Sequence, residues 1–284
     1  MKIPAYYGFW HHLGNWLLKV SSWLVLLFLI LPILVIVPLS FNAEPFFSFT
    51  EGMLTLDPEA YSLRWYREIL DDPKWILAIK NSFFIGILST ILATILGTCA
   101  AVGLARDEMP FRRFITALLL SPMIVPLIIT AAGMFFFYSN LGLAGSYLGV
   151  ILAHAALGTP FVIITVTATL TGFDYSLARA ALNLGATPLR VFFDIIMPLI
   201  RPGVISGALF AFITSFDEVV VILFMAGPQQ RTIPRQMFSG LREQINPSIL
   251  AIATLLILLS IALLVTLELL RRRAERMRGI EIPH

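Results

Sequence analysis

The chain has 284 residues, 58% of them hydrophobic, and a mean hydropathy of +0.87, which excludes a water-soluble globular domain and points to a membrane protein. A formal charge of +3 is too small to argue for nucleic acid. The lone Cys99 excludes a disulfide framework within the chain, and no CxxC, HExxH or GxxxxGKS/T pattern supports metal chemistry or nucleotide hydrolysis.

Residues 1–19 set Lys2, His11, His12 and Lys19 among Tyr6, Tyr7, Phe9, Trp10 and Trp16, the composition of an interfacial segment with aromatic anchors. Residues 20–40 make a first span. The run is longer than a signal-peptide core and no Ala-x-Ala site follows, so it reads as a retained helix kinked at Pro32 and Pro38. Residues 41–79 are the longest polar stretch, with Asp57-Pro58 suited to open a short helix. Residues 81–105 form an uncharged second span. There Gly86, Gly97 and Gly103 permit close helix approach, and Cys99 reads as a buried packing thiol. A charged turn follows with Arg106, Asp107, Glu108, Arg112 and Arg113.

Residues 114–173 carry no Asp, Glu, Lys or Arg, and sixty residues are too many for one crossing. The turn composition at 138–147 divides them into span three near 114–137 and span four near 148–172. Pro122 and Pro126 interrupt the third span and Pro160 the fourth. His154 reads either as a structural histidine bonded to a neighbouring helix or as a ligand contact. After span four comes a patterned segment, 178–198. Residues 178–184 read as a short helix ended by Gly185 in a left-handed position. Thr187 then caps a second helix with Pro188 at its first position, running towards Met197 before Pro198 restricts it. Leu189, Phe192, Phe193 and Ile196 give that helix an apolar stripe.

Span five is expected near 202–225 and holds the adjacent carboxylates Asp217 and Glu218. Residues 226–247 read as a polar loop, and span six lies near 248–270. The fold class is therefore all-α: a polytopic membrane protein with six transmembrane helices and a cytoplasmic helix-turn-helix between spans four and five. Its organisation reads as an interfacial segment at 1–19, one membrane domain at 20–270 and a basic cytoplasmic tail at 271–284. With six spans, thirteen Lys and Arg fall on the side of the termini and seven on the other, so both termini and the 178–198 segment are expected in the cytoplasm.

The 178–198 segment resembles the EAA loop of permease subunits of ABC importers. The pattern Glu-Ala-Ala, three residues, Gly, nine residues, Ile, one residue, Leu-Pro is met by Arg179-Ala180-Ala181, Gly185, Ile195 and Met197-Pro198. Arg179 stands in place of Glu and Met197 in place of Leu. The resemblance implies that Arg179, Ala180, Ala181, Gly185, Pro188, Phe192, Ile195, Met197 and Pro198 couple the chain to a cytoplasmic ATPase. Further motifs extend it: Ser215-Phe-Asp-Glu-Val-Val-Val, Gly227-Pro228, Ile233-Pro234, Met237-Phe238 and Asn246-Pro247 are similar to the spermidine/putrescine permease branch, in particular its PotC-like subunit. The Ser62-Leu-Arg-Trp-Tyr66 stretch resembles that family's short surface helix before the second span.

Several consequences follow from that resemblance. The chain itself is not an enzyme and holds no cofactor; ATP and Mg belong to the partner ATPase, expected in two copies. A second permease subunit, a different PotB-like chain, and an extracytoplasmic solute-binding protein complete the system in the inner membrane, with the lipid bilayer as surroundings and no nucleic acid partner. The cargo is expected to be a polyamine or related small organic cation; an opine, amino-acid-like solute, thiamine or ferric iron is the alternative. Asp217, Glu218, Pro122, Pro126 and Pro160 are candidate pathway residues, since carboxylates and broken helices suit a polar route through apolar surroundings. The same two carboxylates could also serve an ion-coupled secondary transporter, the runner-up class, and a membrane scaffold subunit without transport is the third class open at this level.

Overall fold

The computed structural model describes residues 9–106, 108–171, 173–243 and 246–277, which are almost entirely helical. In chain order the helices are α1 (Phe9–Leu39), α2 (Glu51–Leu54), α3 (Arg64–Asp71), α4 (Pro73–Leu104), α5 (Arg112–Ile124), α6 (Leu127–Asn140), α7 (Tyr147–Leu170), α8 (Tyr175–Asn183), α9 (Pro188–Val191), α10 (Met197–Asp217), α11 (Val220–Met225), α12 (Ile233–Glu243) and α13 (Ser248–Met277). Among the described residues five helical segments are long and apolar enough to cross a membrane, and the bent pair α5–α6 makes a sixth candidate. The chain divides into two compact units, residues 1–71 with 243–264 and residues 72–242 with 265–284.

In the first unit the polar stretch is more ordered than its composition suggests. Asp57 accepts a hydrogen bond from the Glu59 N–H and opens a 3-10 turn over Pro58–Ala60, as the Asp-Pro pair leads one to expect. Asn42 is the organising residue. Its Nδ2 donates to the Phe46 and Ser48 carbonyls at 3.2 and 3.1 Å, and its own carbonyl accepts from Trp65 Nε1 at 2.7 Å. Trp65 and Ile69 bury one face of α3, and Glu68 accepts from Asn246 Nδ2 at 2.7 Å.

The second unit is built on α4, α7 and α10, which pack on one another through small residues. A Cβ at Gly97 would stand 2.6 Å from that of Val162, so only glycine permits that approach. Gly86 likewise faces Phe212, whereas Gly103 meets only the Met109 sulfur at ordinary contact distance and is no close-approach site.

Several expectations need correction. Helix α4 begins at Pro73, eight residues before the expected span, because Asp72 caps it and Pro73 fits its first turn. Cys99 is exposed, not buried; apolar neighbours do not imply protein burial in a chain whose outer face is also apolar. The expected span three is two helices bent by 105°. The bend falls at Val125, which is extended with ψ 135° because Pro126 disfavours a helical residue before it. Pro122 and Pro160 lie inside α5 and α7 without breaking them. The polar loop 226–247 contains α12, and α13 runs on past residue 270 to Met277.

Candidate functional site

Two regions contain the residues singled out in the sequence. The first is the helix-turn-helix. Asp174 caps α8 by accepting from the Ser176 N–H at 2.8 Å, and the hydrogen bonds from Ser176 hold its carboxyl below the usual carboxylate range. Gly185 has φ +87° and ends α8 in the left-handed position. Thr187 accepts from the Arg190 N–H, and Pro188 takes the first helical position.

The second arm departs from expectation at Pro198. It does not stop there but runs on through a π turn over Phe192–Ile196 into α10, so that Pro188–Asp217 is one 30-residue helical segment. Pro198 cannot donate to the Asp194 carbonyl, and its ring would crowd that oxygen in an ordinary α turn. The wider turn, in which the Met197 N–H reaches the Phe192 carbonyl, relieves the conflict and lets the helix continue. The expected apolar stripe is accordingly divided. Ile196 and Met197 pack on the core formed by Ala93, Ala101, Val162 and Ile200, while Leu189 and Phe193 point outward, 72% and 60% exposed. Leu184, at the turn, is 89% exposed. Arg179 and Ala180 are exposed, and Ala181, Phe192 and Ile195 are half-buried.

The second region lies at the far end of α10. Asp217 is its last residue, and Glu218 is extended (φ −73°, ψ 118°). The pair therefore sits at a helix break rather than on two faces of a continuous helix. The Glu218 carboxylate is buried and accepts the Val221 N–H at 2.9 Å, which supplies the start of α11 with an acceptor. Asp217 is exposed and makes no hydrogen bond or ion pair with the described residues. Next to it in sequence, Phe216 packs against Phe83 and Phe212 with ring centroids 5.2 and 5.3 Å apart. His154, on α7, is buried and shares a 2.8 Å hydrogen bond with Ser215 on α10, which is the structural role. Pro126 marks the α5–α6 bend; Pro122 and Pro160 mark no break.

One polar centre was missed in the sequence. Asn81 donates through Nδ2 to the Gln229 and Arg231 carbonyls at 2.7 and 2.8 Å. The Tyr147 hydroxyl lies 2.7 Å from the Gln229 carbonyl and 3.0 Å from Asn81 Oδ1. Ser82 accepts the Ile233 N–H at 2.9 Å. An asparagine at the head of an otherwise apolar span was the available signal, since an amide there needs partners.

The family model described as binding-protein-dependent transport system inner membrane component matches residues 93–276. The putrescine transport system permease protein PotI of Escherichia coli K12 is 36% identical over 241 residues, covering 81% of this chain and 82% of that relative. The spermidine/putrescine transport system permease protein PotC of Haemophilus influenzae is 31% identical over 246 residues, covering 87% and 93%. Among solved structures, a bacterial ABC transporter involved in import of the acidic polysaccharide alginate superposes with a TM-score of 0.72 at 16% identity, covering 93% of this chain and 99% of that one. A left-handed Gly185 within the Arg179–Pro198 pattern, the small-residue helix packing and the matched family model agree. The chain belongs to the binding-protein-dependent transport system inner membrane components, the permease subunits of ABC importers, and is similar to members named for spermidine and putrescine transport.

Proposed function

We propose that this permease imports polyamines of the putrescine and spermidine type, or a related small organic cation, and that Asp217 is a cation contact on the pathway. The observation that carries the reading is the unpaired, exposed Asp217 carboxylate at the break between α10 and α11. It lies about 24 Å along the helix from Arg201, the last preceding charge, at 1.5 Å per residue. A carboxylate in apolar surroundings needs a cationic or polar partner. Phe216, next to it in sequence, and the Phe83 and Phe212 rings packed against Phe216 offer ring faces that favour an ammonium group. Relatives named for putrescine and spermidine transport support the same cargo.

Glu218 has a different duty in this reading: it holds the start of α11. The segment from Asp174 to Pro198 docks on the cytoplasmic ATPase through the outward Leu184, Leu189 and Phe193, with Arg179, Ala180 and Ala181 on the preceding helix. Two copies of that ATPase, a second permease chain of PotB-like type and an extracytoplasmic solute-binding protein complete the importer in the inner membrane.

The test is uptake of radiolabelled putrescine and spermidine by the assembled transporter as a function of concentration. Asp217→Asn is expected to raise the half-saturation concentration about tenfold or more, the loss of one charge-assisted hydrogen bond. Glu218→Gln keeps an acceptor oxygen and is expected to leave half-saturation within about twofold while lowering assembled yield. An Asp217→Asn transporter with unchanged concentration dependence would remove the polyamine assignment from this site.

A further inference from the structure

The charged turn before α5 has a neighbour that the transport reading does not use. A groove of about 660 Å³ is lined by Leu104 of α4, by Arg112, Arg113, Thr116, Ala117 and Leu120 of α5, and by Ile163, Ile164 and Thr167 of α7. This lies in the size range of ligand sites. Both guanidinium groups are exposed and neither is in an ion pair with a described residue. Among the described residues no carboxylate lines the groove.

We propose that this groove holds one anionic phospholipid, with its phosphate at Arg112 and Arg113 and an acyl chain along Ala117, Leu120, Ile163 and Ile164. Charge complementarity selects the occupant: two arginines without an ion-pair partner among the described residues at one end and an uncharged, largely apolar wall beyond. From Arg113 to Leu120 is about 10 Å along the helix, so the wall passes from charge to hydrocarbon over two turns, as a phospholipid does. Phe111 and Phe114, 81% and 70% exposed, flank the arginines, and aromatic rings beside basic residues are characteristic of the headgroup level. The first turn of α5 has no side-chain cap, leaving N–H donors on the side where the phosphate is placed. Thr167, which also lines the groove, has a buried hydroxyl without a hydrogen-bond partner among the described residues. Basic pockets between membrane helices on the cytoplasmic side suit acidic headgroups.

The leaflet rests on the sidedness read from the Lys and Arg distribution, but the binding chemistry does not, so the test is made in detergent. The assembled transporter is stripped of lipid and titrated with phosphatidylglycerol, or with phosphatidylcholine as the neutral control, and retained lipid is counted by native mass spectrometry. One phosphatidylglycerol is expected to remain bound. The double variant Arg112→Gln, Arg113→Gln should weaken it about thirtyfold, from the loss of two surface attractions. Arg112→Lys with Arg113→Lys should keep affinity within about threefold, which separates charge from folding. Leu120→Trp should also reduce retention by filling the apolar end, and this distinguishes a lipid from free phosphate. Equal retention of phosphatidylcholine, unchanged binding in the double glutamine variant, indifference to Leu120→Trp, or no lipid retained by the assembled wild type because a partner chain covers the groove would each overturn the proposal.

Discussion

At position 185 the backbone lies at φ +87° with open space around it, so the demand for glycine there is conformational and not steric. A β-branched residue in a left-handed conformation costs about 1–2 kcal/mol. Gly185→Val is therefore expected to insert normally yet lose most ATPase co-purification and substrate-stimulated hydrolysis, since the strain falls on the turn that orients Leu184 and Leu189. Unimpaired transport by this variant would count against the coupling role. Arg179→Glu places the family's usual residue on an exposed position, and assembled yield should be unchanged. Asn81 offers the opposite case, a residue held by partners. Asn81→Ala removes two hydrogen bonds to the carbonyls of Gln229 and Arg231 and should destabilise the second unit by about 1–3 kcal/mol. Faster amide exchange over residues 226–233 together with a lower melting temperature in detergent is the expected result; unchanged exchange there would show that Ser82 and Tyr147 suffice to hold the loop.

Among the helices, the pair α5–α6 carries the largest departure from a straight span. Pro126 bends the path by 105° while Pro122 and Pro160 leave their helices continuous, and the reason is packing. Helix α7 is held by α4 on one side and α10 on the other, so a lost hydrogen bond at Pro160 is not enough to divert it. Buried residues are few along α5 and α6, Ala131 being the clear one. If the bend lines the pathway, single cysteines at 123–128 in a Cys99→Ala background should react with a water-soluble thiol reagent, and the rate should change several-fold with ATP. Labelling confined to the ends of the pair would leave a simple kink. The exposure of Cys99 makes its removal necessary for this measurement. The contrast among the prolines also marks what was legible in the sequence. Caps and turns could be read from local chemistry: Asp72-Pro73 was overlooked, but Asp57-Pro58, Gly185 and Thr187-Pro188 follow the rules that name them. Whether Pro160 breaks its helix depends on the distant helices packed around it, whereas the π turn that absorbs Pro198 and the Glu218 carboxylate that accepts from Val221 are local, but both require the backbone path of α10 and its break, which no cap or turn rule gives. The sequence pattern marks Asp217 and Glu218 as a pair; the helix break between them and the Glu218–Val221 hydrogen bond separate their duties.

For the molecule as a whole, the bent pair decides the topology. Helices α5 and α6 have 13 and 14 residues, and at a 105° bend their ends are about 25 Å apart by the 1.5 Å rise. That is a few ångström less than a hydrocarbon core of about 30 Å, so a complete crossing draws on the flanking segments 106–111 and 141–146. If the pair crosses, residues 106–113 and 174–201 lie on the same side, with thirteen Lys and Arg on the side of the termini and seven opposite. If it returns to its own side, those two segments lie on opposite sides and the charges divide twelve to eight. The five-span division is nearly as uneven, so charge counting alone separates the two weakly. The coupling segment adds the second constraint. If it docks on the ATPase as proposed, 174–201 lies in the cytoplasm, and only the crossing pair then places Arg106, Arg112 and Arg113 there as well. We expect the crossing. Single cysteines at Pro110 and Leu184, again without Cys99, should both be shielded from an impermeant thiol reagent in right-side-out vesicles and both react in inverted ones. Labelling of position 110 from outside with position 184 still protected would make α5–α6 a re-entrant loop and put the two chain ends on opposite faces of the membrane. It would also move the arginine-lined groove to the outer leaflet, without altering the lipid chemistry measured in detergent.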